Sequence, residues 1–258
     1  MRVHGRWFFA LAVAAAVGQA LIQAQGDRVD LLIRDARIVD GTGSPWYRGD
    51  VAVRGDTIAA IGPRIEMPAS AVIDARGLVL APGFIDLHVH AFQASGPPPS
   101  VLFMAEAPAA ENYIRQGVTT LIAGPDGFAP VPLKPALDSL LALGIGPNLG
   151  TFVGHGSVRE AVMGNVNRAP TGDELERMRA LVRQGMRDGA FGLSTGLFYV
   201  PATYSTTSEV VELARVAGAM GGIHVSHIRD EVDGLLDSVR ETIAIGEQGR
   251  LPTQVTHH

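Results

Sequence analysis

Cysteine is absent from the 258 residues, which removes disulfides, thiolate metal sites and cysteine nucleophiles from consideration. Lysine is almost as scarce, with Lys134 the single example. The formal charge of −5 comes with scattered arginine and no basic stripe, so nucleic acid is a poor partner for this chain. The longest apolar run, "WFFALAVAAAV", is too short for a comfortable bilayer span. It follows Arg2, His4 and Arg6 and precedes the small residues of "GQALIQA". That order reads as an export signal over residues 1–24, cut after Ala24 or Ala20, with an uncleaved anchor as the other reading. Without cysteine a lipoprotein is excluded. The expectation is a periplasmic or secreted protein that leaves the membrane once the signal is removed.

What is present divides by rhythm. From residue 25 to about residue 80 the pattern is short strands and tight turns. "VDLLIRDARIVDGTG" ends in the hairpin signal Asp40-Gly41, and "GDVAVRGDTIAAIG" alternates on either side of a Gly-Asp turn. This predicts a small β domain. Residues 81–258 switch to strand, loop and helix in repetition. The strands fall in "GFIDLHVH", "VTTLIAGPDG", "PNLGTFVGHG", "AFGLSTGLF", "GIHVSHIRD" and "LPTQVTHH". Helices are expected in "AEAPAAENYIRQG", "LKPALDSLLALG" and the segments after Thr171 and Thr206, each of which opens on a capping box closed by Glu174 or Glu209. Six βα-type strands in a row signal a parallel sheet of the α/β class.

Two parallel architectures compete. A doubly wound sheet would usually place a glycine-rich phosphate turn after its first strand, where this chain has "HVHAFQASGPPP". In a (β/α)₈ barrel the chemistry gathers at the C-terminal ends of several strands. His88, His90, His155, His224, His227, His257 and His258 all lie at or near such ends. The barrel is therefore the expected fold. Only six of its eight units are legible, so the polypeptide reads as the front part of a longer protein.

In a strand, residues i and i+2 share a face, so His88 and His90 point the same way. Asp86 precedes them on that face. A metal ion is the simplest reason for two imidazoles at one strand end. His224 and His227 are three apart and face opposite ways; His227, nearer the strand end, is the better ligand, and His224 is expected in packing or hydrogen bonding. His257 and His258 are adjacent, and periodicity does not choose between them. Arg229 has two readings, a substrate carboxylate or a structural pair with Asp230 or Glu231, the second being preferred.

"APGFIDLHVH" resembles the metal-binding opening of the amidohydrolase superfamily, which joins a small β-sandwich to a metal-bearing barrel. "GVTTLIAGPDG", "VGHGSVREAVMG", "GAFGLSTGLFYVPATY", "GGIHVSHIRDE" and "LPTQVTHH" occur in the same order in N-acyl-D-amino-acid deacylases, and the resemblance spans about residues 29 to 258. It implies hydrolysis of small-molecule N-acyl-D-amino acids at a centre holding one or two Zn²⁺ or similar divalent ions. It also implies His257 rather than His258 as a ligand, His155 as support beside the ligands, and Tyr199 as a substrate-holding residue. Many superfamily members bridge two metals with a carbamylated fourth-strand lysine, which "AFGLSTGLF" cannot supply. The deacylases resemble one another in a Gly-x-Cys-Gly turn; here the turn is "GPDG", and Asp126 stands where that cysteine would. A carboxylate can bridge two divalent ions and favours harder ones than a thiolate does. The implied set is thus His88, His90, Asp126, His227 and His257. The general acid/base aspartate of the family falls beyond residue 258, leaving Asp86 a weak candidate here. The alternatives are a cyclic-amide hydrolase of the hydantoinase or dihydroorotase kind, or an inactive truncated barrel.

Overall fold

Alternation of buried and exposed side chains builds the first strand, β1 (Val29–Ile38), in which Val29, Leu32, Ala36 and Ile38 turn inward. The structure is a computed structural model that describes residues 28–92, 101–104 and 109–257. The export-signal reading falls on residues 1–24, and His258 on the last position; both lie outside the described residues. Contacts divide the chain into two units with the break after Pro82.

The first unit adds β2 (Tyr47–Arg54), β3 (Thr57–Gly62), β4 (Ala69–Asp74) and β5 (Val79–Leu80). The order is β3-β2-β1-β4, with β5 also on β1. β2 and β3 form the expected hairpin: Arg54 pairs with Thr57 around Gly55-Asp56, and Gly55 takes the positive φ of 59° that such a turn requires. Asp40-Gly41 makes no such two-residue turn. Asp40 accepts the Thr42 amide at 3.0 Å inside a longer loop before β2, because an aspartate can cap its own backbone instead of closing a hairpin. β4 and β5 run parallel to β1, so all five strands form one mixed sheet. Buried Asp50 fastens it, accepting the amides of Asp35 (2.8 Å) and Ile65 (3.0 Å).

The second unit is α/β throughout. Its strands are β6 (Phe84–Val89), β7 (Val118–Ala123), β8 (Asn148–Thr151), β9 (Val153–Gly154), β10 (Gly192–Gly196), β11 (Ile223–His227) and β12 (Thr253–His257). All pair in parallel, as the sheets β6-β7-β8 and β9-β10-β11-β12. The third expected strand is split at Phe152: β8 belongs to one sheet and β9 to the other. Phe152 donates to the Ala123 carbonyl at 3.2 Å and Phe191 to that of Thr151 at 2.8 Å, so the backbone bonds change partner across a single residue.

The helices are α1 (Glu111–Ile114), α2 (Leu133–Leu143), α3 (His155–Met163), α4 (Gly172–Arg187), α5 (Thr207–Gly218) and α6 (Leu235–Gly249). The longer helix expected around "AEAPAAENYIRQG" is a single described turn, because Ala110 at φ 48° lies off the helical path and β7 begins soon after. α4 carries the full capping box of Thr171 and Glu174. α5 has only half of one: Thr206 accepts the Glu209 amide, but the Glu209 side chain is drawn into the interior by stronger partners described below. Leu121, Val153, Met178, Leu193, Leu213 and Ile245 are buried in one core between these strands and helices.

A polar layer sets the register of the last three strands. His224 is fully buried, with Nε2 2.9 Å from Thr195 Oγ1 on β10 and Nδ1 2.7 Å from Thr253 Oγ1 on β12. Thr195 also donates to Ser226 Oγ at 2.9 Å. Burial, with a smaller contribution from the charge of His155, pushes the His224 imidazole down to about 3. The folded chain therefore keeps His224 neutral, whereas the unfolded chain takes up a proton below about pH 6.5. The sign follows: this group's stabilisation is complete above that pH and is lost on acidification toward about 3, at up to about 1.4 kcal/mol per pH unit. Urea midpoints at about pH 7.5 and about pH 5 measure it. The midpoint should be lower in acid, and the difference should shrink in His224→Gln.

Candidate metal centre

The turn Gly124-Pro125-Asp126-Gly127 after β7 carries three positive φ angles, 73° at Gly124, 56° at Asp126 and 80° at Gly127. Left-handed backbone costs a non-glycine residue energy, and the surroundings have to hold it there. Here Ser194 on β10 does so from both sides: its hydroxyl donates to the Gly124 carbonyl (2.6 Å) and accepts the Gly127 amide (3.2 Å). The Gly127 carbonyl accepts the Ser157 amide at 3.1 Å from α3. The turn is packed so closely that a Cβ at Gly196 would run into the Asp126 carbonyl, and one at Gly154 into that of Gly127. This explains why β10 ends in glycine: the Asp126 turn fills that space.

So placed, the Asp126 carboxylate is 4% exposed and divides its two oxygens between two histidine pairs. Oδ2 lies 3.2 Å from His90 Nε2 and 3.4 Å from His88 Nε2. Oδ1 lies 3.9 Å from His227 Nδ1 and 4.0 Å from His257 Nε2, and it is buried without a hydrogen-bond partner. His227 and His257 approach each other at 3.0 Å, Nδ1 to Nε2. The rings of His88 and His257 are 5.6 Å apart, which closes the group. All five residues singled out in the sequence therefore lie within one cluster.

The local strand geometry explains how they meet. The register of β6 on β7 slips between Asp86 and Val89, and Asp86 accepts the His88 amide at 3.1 Å, turning its carboxylate back on its own strand. The register of β12 on β11 slips beyond Ser226, so that His257 instead of Thr256 stands level with His227. The slip is invisible to periodicity. Tyr199 sits at the rim, its hydroxyl 3.5 Å from His227 Nδ1 and its ring packed between those of Phe128 and Phe198.

The electrostatics suit a cation. Burial opposes the charged form of Asp126, yet the hydrogen bond from His90 and the charges of His88, His90 and His227 hold its carboxyl below the usual range. Burial lowers His88 and His227, keeping lone pairs on those rings, while the hydrogen bond to Asp126 raises His90. Burial, then the charges of Asp126 and Glu231, raises the Tyr199 phenol. Imidazole nitrogens and carboxylate oxygens around one unpartnered buried oxygen are the donor set that zinc takes.

Two other residues fall elsewhere. His155 opens α3, fully buried, with Nε2 3.0 Å from Glu209 Oε1; the second Glu209 oxygen accepts from buried Arg159. Burial opposes ionisation of Glu209, but these two partners lower its carboxyl overall. This pairing is what takes Glu209 away from its helix cap. Arg229 makes a structural ion pair, though with Glu241 (2.8 and 2.9 Å) instead of Asp230 or Glu231. Glu231, which sequence reasoning missed as a site residue, stands 2.6 Å from His257 Nδ1. Its one signal was a carboxylate four residues after His227.

The amidohydrolase family model matches residues 71–258, and the chain belongs to that family, with its α/β fold. Among curated relatives it is similar to the D-aminoacylase of Alcaligenes xylosoxydans xylosoxydans, 36% identical over 92% of this chain and 52% of the relative. It is also similar to that organism's N-acyl-D-aspartate deacylase, 36% identical over 90% of this chain and 49% of the relative. The chain thus spans about half the length of the curated relatives it matches. Among solved structures, the N-acyl-D-glutamate deacylase of Bordetella bronchiseptica, complexed with zinc and a phosphonate mimic of the tetrahedral intermediate, superposes with a TM-score of 0.81. It is 34% identical over 90% of this chain and 52% of that one. Hydantoinase structures match at 17–19% identity, a likeness of fold alone.

The packing of Gly196 against the Asp126 turn yields a direct test. Gly196→Ala should displace the turn and lower stability by roughly 1–3 kcal/mol, as forced overpacking does. An unchanged urea midpoint would show that the turn does not rest on that glycine.

Proposed function

We propose that this chain carries the metal-binding part of a zinc-dependent hydrolase that cleaves N-acyl-D-amino acids to a carboxylate and a free D-amino acid. The observation that carries this reading is the Asp126 carboxylate, buried and shared between His88 with His90 on one side and His227 with His257 on the other. The relatives support the substrate class, since those most similar are named for N-acyl-D-amino-acid substrates or as D-aminoacylase. One structural relative, a D-aminoacylase 32% identical with a TM-score of 0.80 over 89% of this chain and 52% of that one, is described with a binuclear metal centre.

In this reading His227, His257 and Asp126 would hold one ion, and His88, His90 and Asp126 a second. An ion held there supplies a Lewis acid for the amide carbonyl and lowers the pKa of bound water from 15.7 to about 7. The chain's own residues do the remaining work. The Asp126 turn, fixed by Ser194 and Gly196, sets the spacing of the two histidine pairs. Tyr199, at the rim with its phenol kept protonated by burial, holds the substrate. The family resemblance assigns proton transfer to an aspartate beyond residue 258, so Asp86, which is occupied with the His88 amide, is not given that task.

The same reading extends to the architecture. The two parallel sheets of the second unit are proposed as six staves of a (β/α)₈ barrel, and the mixed sheet of the first unit as one layer of a β-sandwich. Exposed Ile58, Ile61 and Ile73, which the strand pairing puts on one side of that sheet, support an apolar face that a second layer would cover. The export-signal reading of residues 1–24 supports a location in the periplasm or outside the cell.

Zinc-loaded protein should release free amino acid from N-acetyl-D-amino acids and none from the L-enantiomers. Activity should vanish on chelation and in Asp126→Ala. Turnover of L-substrates alone, or ring opening of a hydantoin in its place, would overturn the assignment. The alternative is an inactive truncated barrel, which stoichiometric zinc binding without turnover would support.

A further inference from the structure

Beyond His227 the backbone is held residue by residue. Ile228 is fully buried. Arg229 is anchored by both oxygens of Glu241 and by the carbonyls of Thr203 (2.9 Å) and Ser205 (3.2 Å). The Asp230 amide donates to Ser238 Oγ at 3.0 Å, and its carboxylate accepts the Val232 amide at 2.7 Å. The position between these anchors is Glu231. Its side chain leaves the loop toward the histidines, where Oε1 lies 2.6 Å from His257 Nδ1 and 3.9 Å from His227 Nε2.

The two rings are turned the same way, but only His257 is at hydrogen-bond distance from Glu231. Each turns one nitrogen toward Asp126 Oδ1, at 3.9 Å for His227 Nδ1 and 4.0 Å for His257 Nε2. Each turns the other nitrogen toward the same oxygen of Glu231. A neutral imidazole has one N–H and one lone pair, and a carboxylate at hydrogen-bond distance selects the nitrogen facing it as the donor. For His257 that leaves the lone pair on Nε2, the atom facing Asp126. An exposed ion pair of no consequence would show neither the paired geometry nor a loop pinned on both sides.

We infer that Glu231 is a positioning residue that fixes the tautomer of His257, so that its Nε2 lone pair faces His227 Nδ1 (3.0 Å) and Asp126. That lone pair serves a divalent cation, a step that rests on the metal reading above. Carboxylates in this relation to a ligating histidine orient the ring and raise its basicity.

Two measurements on the whole chain separate the ideas. The first uses nitrogen-15 NMR of the metal-free protein at a pH where the histidines are neutral. His257 should be in the Nδ1–H form, and Glu231→Ala should shift it toward the Nε2–H form. The second is zinc affinity by chelator competition. Glu231→Ala should weaken binding by about 10- to 100-fold, and Glu231→Gln, whose amide oxygen can accept the same N–H, should recover most of the loss. His257 unchanged in Glu231→Ala, or undiminished zinc affinity, would overturn the inference. Equal loss in both variants would make Glu231 a ligand and overturn it as well. If the wild-type chain bound no zinc while its tautomer still followed Glu231, the metal reading would fail and the tautomer lock would stand.

Discussion

Everything in the second unit that matters for chemistry depends on holding one aspartate in a backbone conformation it does not favour. Asp126 at φ 56° directs a carboxylate into the interior, where burial opposes its charge. The strain is tolerated because the turn is bonded to Ser194 and Ser157 and packed on glycines of two neighbouring strands. Left-handed, buried and ionised residues are each costly on their own. Four imidazoles around the carboxylate are what offset the cost. The arrangement is a concentration of expensive features at one point, as expected where structure has been shaped by function.

Around that point, the strands contribute in two different ways. β6 and β12 each slip register where their histidines stand, and the slip brings the ring to the centre. β10 contributes by omission, ending in a glycine so that the turn can approach. β11 combines both roles: its inner residue His227 joins the cluster, while His224, facing the other way, ties three strands together as a neutral hydrogen-bonding ring. One strand thus carries one histidine in the cluster and one tied into the sheet, distinguished by the face each occupies.

Much of this could be read from the chain beforehand. Alternation predicts that His88 and His90 share a face and that His224 and His227 do not, and the recurrence of histidine at strand ends predicts a common mouth. What escaped the sequence has a physical reason in each case. The arrival of His257, in place of Thr256, level with His227 depends on a register slip, which belongs to pairing between strands and leaves no periodic trace. The split of the third strand at Phe152 arises where two sheets diverge. Glu209 looks like a cap from three-residue spacing, but the tertiary pull of buried His155 and Arg159 prevails. Glu231 looks like a partner for nearby Arg229, and only the long-range contact with Glu241 frees it to face His257.

The absence of sulfur from the "GPDG" turn has a chemical consequence. A thiolate in that position would be open to peroxide, passing through sulfenic to irreversible sulfinic and sulfonic acids. An aspartate has no such ladder. With Asp126 at its centre and no cysteine elsewhere in the chain, the cluster contains nothing that thiol oxidants can disable.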